Sequence, residues 1–189
     1  MQKRLILGLI AVFLALAGQD VFFGANMVPA STPEVNLDLL KSGFNENGLS
    51  IVTRIIDGDT IVVFVDGVSE KVRLIGVDTP ETVDPRKPVQ CFGEEASAFT
   101  RSLLLRAGVR LEMDATQGDR DKYGRLLRYV FLPDGTLVNE EIIAEGYGHE
   151  YTYRIPYQYQ TEFKTAERSA RESQKGLWAS GACGLQNTK

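Results

Sequence analysis

The feature that most constrains this chain is a hairpin signal. Asp66-Gly67 separates a run rich in β-branched residues, Thr60 to Val65, from a returning run, Ser69 to Val77. A two-residue hairpin turn needs positive φ at both central positions, and Asp-Gly tolerates that better than almost any other pair. Such a turn also sets the register. Val65 must face Val68, so Thr60 faces Arg73 and Asp59 faces Leu74. Ser50 to Ile56 is a similar run immediately upstream, and three consecutive antiparallel strands are predicted.

Beyond them, Glu94 to Leu105 reads as a helix with Phe99 and Leu103 four apart on one face. Val109 to Met113 and Leu126 to Leu132 read as a fourth and a fifth strand, the latter ended by the turn Pro133-Asp134-Gly135. Val138 to Glu145 reads as a short helix stopped by Gly146. Tyr159, Phe163, Ala166 and Ala170 mark one face of a last helix, with Glu167 and Arg171 paired on its surface. Five short strands with a helix between the third and fourth match an OB-type Greek-key barrel, a mainly β, α+β fold with three helices. Strand order alone also admits sandwiches and other α+β sheets.

The chain of 189 residues divides into four segments. Residues 1–25 open with Lys3 and Arg4 and continue in an uncharged run from Leu5 to Ala17, the pattern of a signal peptide or an N-terminal membrane anchor. That run is short for a membrane span, which needs about 20 apolar residues. Residues 26–48 are a linker rich in small and polar residues, 49–180 the folded domain, and 181–189 a tail. The expected location is secreted or extracytoplasmic, with membrane attachment only if the first segment is retained. Two cysteines and one histidine exclude a Cys/His zinc site. A net charge of -4 excludes a protein held to nucleic acid or membrane by bulk positive charge, though not a locally basic site.

Four clusters stand out as chemical: Asp57-Gly58-Asp59-Thr60, Arg73 in an otherwise apolar strand, Asp78-Thr79-Pro80-Glu81, and Asp121-Lys122-Tyr123-Gly124-Arg125. Each has an ordinary reading. Asp-Gly pairs form turns, Pro80 presets a loop, and Lys122-Tyr123-Gly124 suits a solvated connection. Arg73 is harder to explain that way, because an arginine in a core strand needs a carboxylate or an anion opposite it. Together the four make one set. Two carboxylates with carbonyl and water oxygens suit a hard cation, Ca²⁺ or Mg²⁺. Two arginines can clamp phosphate oxygens and favour the charge of a phosphorane-like transition state. A further carboxylate can take a proton from attacking water. One difficulty stands against this. Asp78 lies four residues beyond the partner of Asp59, about 13 Å along a straight strand, so only strong coiling could bring the two together.

The strings I-D-G-D-T at 56–60, R-L-I-G-V-D-T-P-E at 73–81, G-E-E-A-S-A-F-T at 93–100 and D-K-Y-G-R at 121–125 resemble the staphylococcal nuclease family, in order, from about Ile51 to Trp178. The resemblance implies an OB barrel with three helices and Ca²⁺-dependent hydrolysis of DNA and RNA that leaves 3′-phosphates. It implies Asp59, Asp78 and the main-chain carbonyl of Thr79 as calcium ligands, with Mg²⁺ the lesser alternative. Arg73 and Arg125 would be phosphate clamps and Glu81 the base. Lys122, Tyr123, Tyr151 and Tyr153 would contact the nucleotide. No protein partner is implied, and a monomer is expected. Cys91 and Cys183 stand outside the family motifs, and in an exported chain they most simply form one disulfide. His149 reads as a solvated loop residue. Two other functions stay open: a barrel that binds nucleic acid or protein without cutting, and a phosphodiesterase acting on small nucleotides. A basic or aromatic track leading away from Tyr123 and Arg125 would argue for a polymeric substrate.

Overall fold

The computed structural model describes residues 48–83 and 88–183. The expected signal or anchor segment, the linker up to residue 47 and the end of the tail lie outside the described residues. The elements run β1 (Ser50–Asp57), β2 (Thr60–Val65), β3 (Val68–Leu74), β4 (Val77–Asp78), α1 (Gly93–Leu104), β5 (Gly108–Glu112), β6 (Leu126–Phe131), α2 (Val138–Ala144), β7 (His149–Glu150) and α3 (Gln160–Glu172), followed by a 3₁₀ turn at Gly176–Trp178.

The hairpin forms as its turn residues dictate. Asp66 and Gly67 both have positive φ, 49° and 81°, and Val65 pairs with Val68 and Thr60 with Arg73. Five strands close a barrel in the order β1-β2-β3-β6-β5. The β3–β6 pair is parallel, and β1 meets β5 through Ser50–Val109 and Ile51–Gly108. Two register shifts in β1, between Val52 and Arg54 and between Ile55 and Asp57, curl that strand so that it serves both neighbours. This is the OB-fold barrel with three helices.

Inward-facing Val52, Ile61, Val63, Val72, Leu74, Val109 and Val130 are fully or almost fully buried. Below them Ile142 and Ile143 of α2 and Phe163 of α3 extend the same core around Tyr129. Tyr129 meets Tyr159 edge-on at 4.7 Å between centroids. The buried stripe of α1 is Ala96, Thr100 and Leu104. Phe99 and Leu103, the face read from spacing, flank it half-buried, and Phe99 stacks on Tyr147 at 4.0 Å.

One element differs from expectation in a way that matters. The run from Ser69 to Val77 is not one strand: β3 ends at Leu74, and the chain bends at Ile75-Gly76 before β4. Gly76 has φ 77°, and a Cβ there would lie 2.6 Å from the Tyr157 ring and 2.8 Å from Phe163. Only glycine meets both requirements. Strand β4 then leaves the barrel wall and pairs with β7, Val77 against Glu150 and Asp78 against His149.

Candidate functional site

The bend at Gly76 closes the distance that a straight strand would leave. Asp59, at the start of β2, and Asp78, in β4, each place a carboxylate oxygen 3.1 Å from the same nitrogen, Nη2 of Arg73. Arg73 projects from β3 and is fixed from its other side, where Nη1 donates to the carbonyls of Leu74 at 3.0 Å and Val77 at 2.5 Å. The guanidinium thus spans the bend that returns Asp78 to the barrel mouth. Asp59 is buried. Its Oδ1 accepts the Thr60 hydroxyl at 2.9 Å and its Oδ2 the Thr79 N–H at 3.0 Å. Burial pushes the Asp78 carboxyl above its usual range; Arg73 opposes that shift and the Asp59 charge reinforces it.

Arg125 reaches the same place from the segment before β6. Asp121 organises that segment: its Oδ1 accepts the N–H groups of Tyr123 at 2.9 Å and Arg125 at 3.0 Å, and its Oδ2 takes Arg125 Nε at 2.6 Å. Arg125 Nη1 then donates to the Thr60 hydroxyl at 3.3 Å. Thr60 therefore joins the second arginine to Asp59. The exposed Tyr123 ring lies 5.4 Å from the Arg125 guanidinium and 5.0 Å from the Lys122 ammonium.

Glu81 is held through its backbone by Gln90, which accepts the Glu81 N–H with its side-chain oxygen at 2.8 Å and donates its own N–H to the Glu81 carbonyl at 2.9 Å. The Glu81 carboxylate accepts the Val83 N–H at 2.7 Å. Below this loop, buried Asp57 accepts the hydroxyls of Thr82 at 2.9 Å and Ser97 at 3.0 Å and ties the loop to α1. Burial raises the Asp57 pKa; the Gly58 N–H and Thr82 lower it, while the Glu81 carboxyl raises it again. Next to Gln90, Cys91 forms a disulfide with Cys183, their Cα atoms 5.6 Å apart. The bridge ties the loop before α1 to the tail beyond Trp178.

Two clefts open from these residues. One of about 730 Å³ holds Asp59, Thr79, Glu81 and Gln90. Its neighbour, of about 680 Å³, is lined by Lys122, Tyr151, Tyr153 and Arg154. Arg73, Asp78, Tyr123 and Arg125 line both. Every residue expected to be functional therefore faces one continuous surface. Tyr151 and Tyr153, 6.3 Å apart between centroids, sit with Tyr123 in the second cleft. His149 is less solvated than expected: it meets the Trp178 ring edge-on at 4.9 Å, and its Nδ1 lies 3.4 Å from Glu167. Asp57, Gln90 and Asp121 hold the site together, yet sequence reasoning gave them no role. Asp57 and Asp121 both sit inside quoted strings and could have been suspected, though Asp57 read as a turn former; Gln90 carries no signal at all.

The donor set suits a hard cation. The convergent groups are oxygens, from Asp59 and Asp78, with Thr79 buried beside them and its hydroxyl left without a hydrogen-bond partner. Among the described residues no group of three or more His, Cys, Asp or Glu side chains is placed to hold a metal. A calcium ion here would rest on two carboxylates completed by main-chain, water or substrate oxygens, a mixture such ions accept.

Fold and site together define a class: OB-barrel proteins whose mouth presents two fixed guanidinium groups against paired carboxylates. Comparison with known proteins is specific. The family described as staphylococcal nuclease homologue matches residues 71–180. The chain is 38% identical to the thermonuclease of Staphylococcus hyicus over 94% of this chain and 99% of that one. It is 44% identical to the thermonuclease of Staphylococcus intermedius, over 73% and 81% respectively. With the endonuclease YncB of Bacillus subtilis (strain 168) it shares 41% identity over 71% and 64%. The chain belongs to the staphylococcal nuclease family.

Proposed function

We propose that the protein is an exported, calcium-dependent endonuclease that hydrolyses phosphodiester bonds of DNA and RNA with low sequence specificity and leaves 3′-phosphate ends. The observation that carries this reading is the convergence of Asp59 and Asp78 on Arg73 Nη2, with Arg125 joined to Asp59 through Thr60. That is a place for one phosphate between two guanidinium groups and an acidic, oxygen-lined pocket.

The side chains divide the work. Arg73 and Arg125 donate to the non-bridging phosphate oxygens, and those bonds strengthen as charge builds in the transition state. Glu81 accepts a proton from the attacking water, whose oxygen bonds to phosphorus as the 5′ oxygen leaves. Asp59, Asp78 and the Thr79 carbonyl would hold Ca²⁺, and the ion would supply polarisation of the phosphoryl group. Lys122, Tyr123, Tyr151 and Tyr153 receive the nucleotide, stacking being tolerant of base identity. The basic and aromatic lining of the second cleft favours a polymer over a small nucleotide. Export is supported by the charged and then apolar N-terminus and by the Cys91–Cys183 bridge, since disulfides persist outside the reducing cytosol.

The test is hydrolysis of single-stranded DNA by the purified protein in Ca²⁺, Mg²⁺ or chelator. Cutting should require Ca²⁺ and fall by about 10²-fold or more in Glu81→Gln and in Arg125→Ala. DNA binding without metal-dependent cutting would instead identify a binding module.

A further inference from the structure

The cleft that contains Asp59 and Glu81 has a third cation in its wall. Lys71 lines it together with Arg73 and Arg125. On β3 the buried Val72 points into the barrel, so Lys71 and Arg73 share the opposite face. Two residues along a strand span about 6.8 Å, close to the phosphate-to-phosphate repeat of an extended nucleic-acid strand. The neighbouring cations are already engaged: Arg73 by Asp59 and Asp78, Arg125 by Asp121, Arg120 by Glu70 and Arg128 by Asp119. Lys71 is exposed and has no ion-pair partner among the described residues. The rest of this cleft is acidic, with Asp57, Asp59, Asp78 and Glu81. Among the described residues of this cleft, Lys71 is the cation not already paired to a carboxylate, so a second phosphate is best received beside it.

We propose that Lys71 binds the phosphate next to the scissile one, on the side away from Tyr151 and Tyr153, which makes this cleft a second nucleotide subsite. This rests on the nuclease reading and deepens it. The polymer would run from the aromatic cleft past the arginine pair and onto Lys71, so substrates with phosphates on both sides of the cut are favoured over single phosphodiesters.

The test compares wild type, Lys71→Ala and Lys71→Arg on a single-stranded oligonucleotide and on a dinucleoside monophosphate, which has no neighbouring phosphate. Lys71→Ala should raise KM for the oligonucleotide about tenfold with kcat unchanged, the effect of one charge-assisted contact. It should leave the dinucleoside monophosphate untouched, and Lys71→Arg should restore the oligonucleotide KM. Fluorescence-anisotropy titration of the same oligonucleotide should show the salt slope reduced by about 1 in Lys71→Ala. An unchanged KM and slope would overturn the proposal, as would an equal loss on both substrates. If wild type cuts neither substrate, the nuclease reading has failed, and the anisotropy slope alone then decides for or against Lys71.

Discussion

At Gly58 the chain has no room for a methyl group. A Cβ there would lie 2.7 Å from Thr79 Oγ1 and 2.8 Å from its Cγ2. Thr79 is not free to yield, because its N–H holds Asp59 Oδ2, and the Gly58 carbonyl is itself fixed by the Thr100 hydroxyl at 2.6 Å. Gly58→Ala should therefore displace the Asp59–Thr79 contact. Overpacking of this kind costs about 1–3 kcal/mol, which a domain of this size survives, whereas small misplacements of reacting groups can cost about 10²-fold in rate. The expected outcome is a folded protein, seen in its melting curve, with kcat lowered at least tenfold. Wild-type kcat would show that Thr79 can shift without moving the aspartates. The sequence offered Asp57-Gly58 only as a turn former. Its second function, bringing two backbone segments close enough for Asp59 to meet Thr79, is a contact across twenty residues that no local pattern encodes.

Among the elements, the loop between β4 and α1 is secured at three points. Asp57 takes Thr82, Gln90 takes the Glu81 backbone on both sides, and the disulfide fixes Cys91 to the tail. The bridge joins positions 92 residues apart, and closing so long a loop in the unfolded chain is worth about 4.6 kcal/mol in the chain-entropy account. Reduction, or Cys183→Ser, should lower the unfolding free energy by about that amount in urea. Coincident denaturation curves with and without reductant would show that the bridge contributes nothing to equilibrium stability. The hairpin β2–β3 needs no such aid. Its register follows from the Asp66-Gly67 turn and from alternation alone, which is why the Thr60–Arg73 pairing was legible. The far end of β3 was not. An apolar, β-branched run reads as continuous strand, and only the Tyr157 and Phe163 rings packed under Gly76 explain why it turns there.

For the molecule as a whole, acid stability should depend on Asp114. This buried carboxyl accepts the Tyr129 hydroxyl at 2.5 Å, the Gln158 N–H at 2.7 Å and the Thr116 N–H and hydroxyl at 2.7 Å. It thereby links the end of β5, the middle of β6 and the approach to α3. Burial alone would raise its pKa, but these donors outweigh burial and hold it down at about 2, against 3.8 for an ordinary aspartate. A carboxyl depressed by folding stabilises the native state above its unfolded pKa and loses that contribution as pH falls through the folded one. About 2 kcal/mol should therefore disappear between pH 4 and pH 2. Urea unfolding at several acidic pH values would reveal this as a sloping limb, and Asp114→Asn should flatten it. An identical slope in the variant would assign the acid limb to other carboxylates.

The sequence by itself determined the five barrel strands except where β3 ends, the hairpin register and the types of residue at the site, because turn chemistry, side-chain alternation and short motifs act over a few residues. Tertiary structure alone decided that Asp59 and Asp78 converge on one guanidinium nitrogen, that Gln90 grips Glu81, and that Lys71 looks into the same cleft. Each of these depends on barrel closure, on the bend at Gly76 and on the β4–β7 pairing, contacts between segments far apart in the chain whose energies no local window contains.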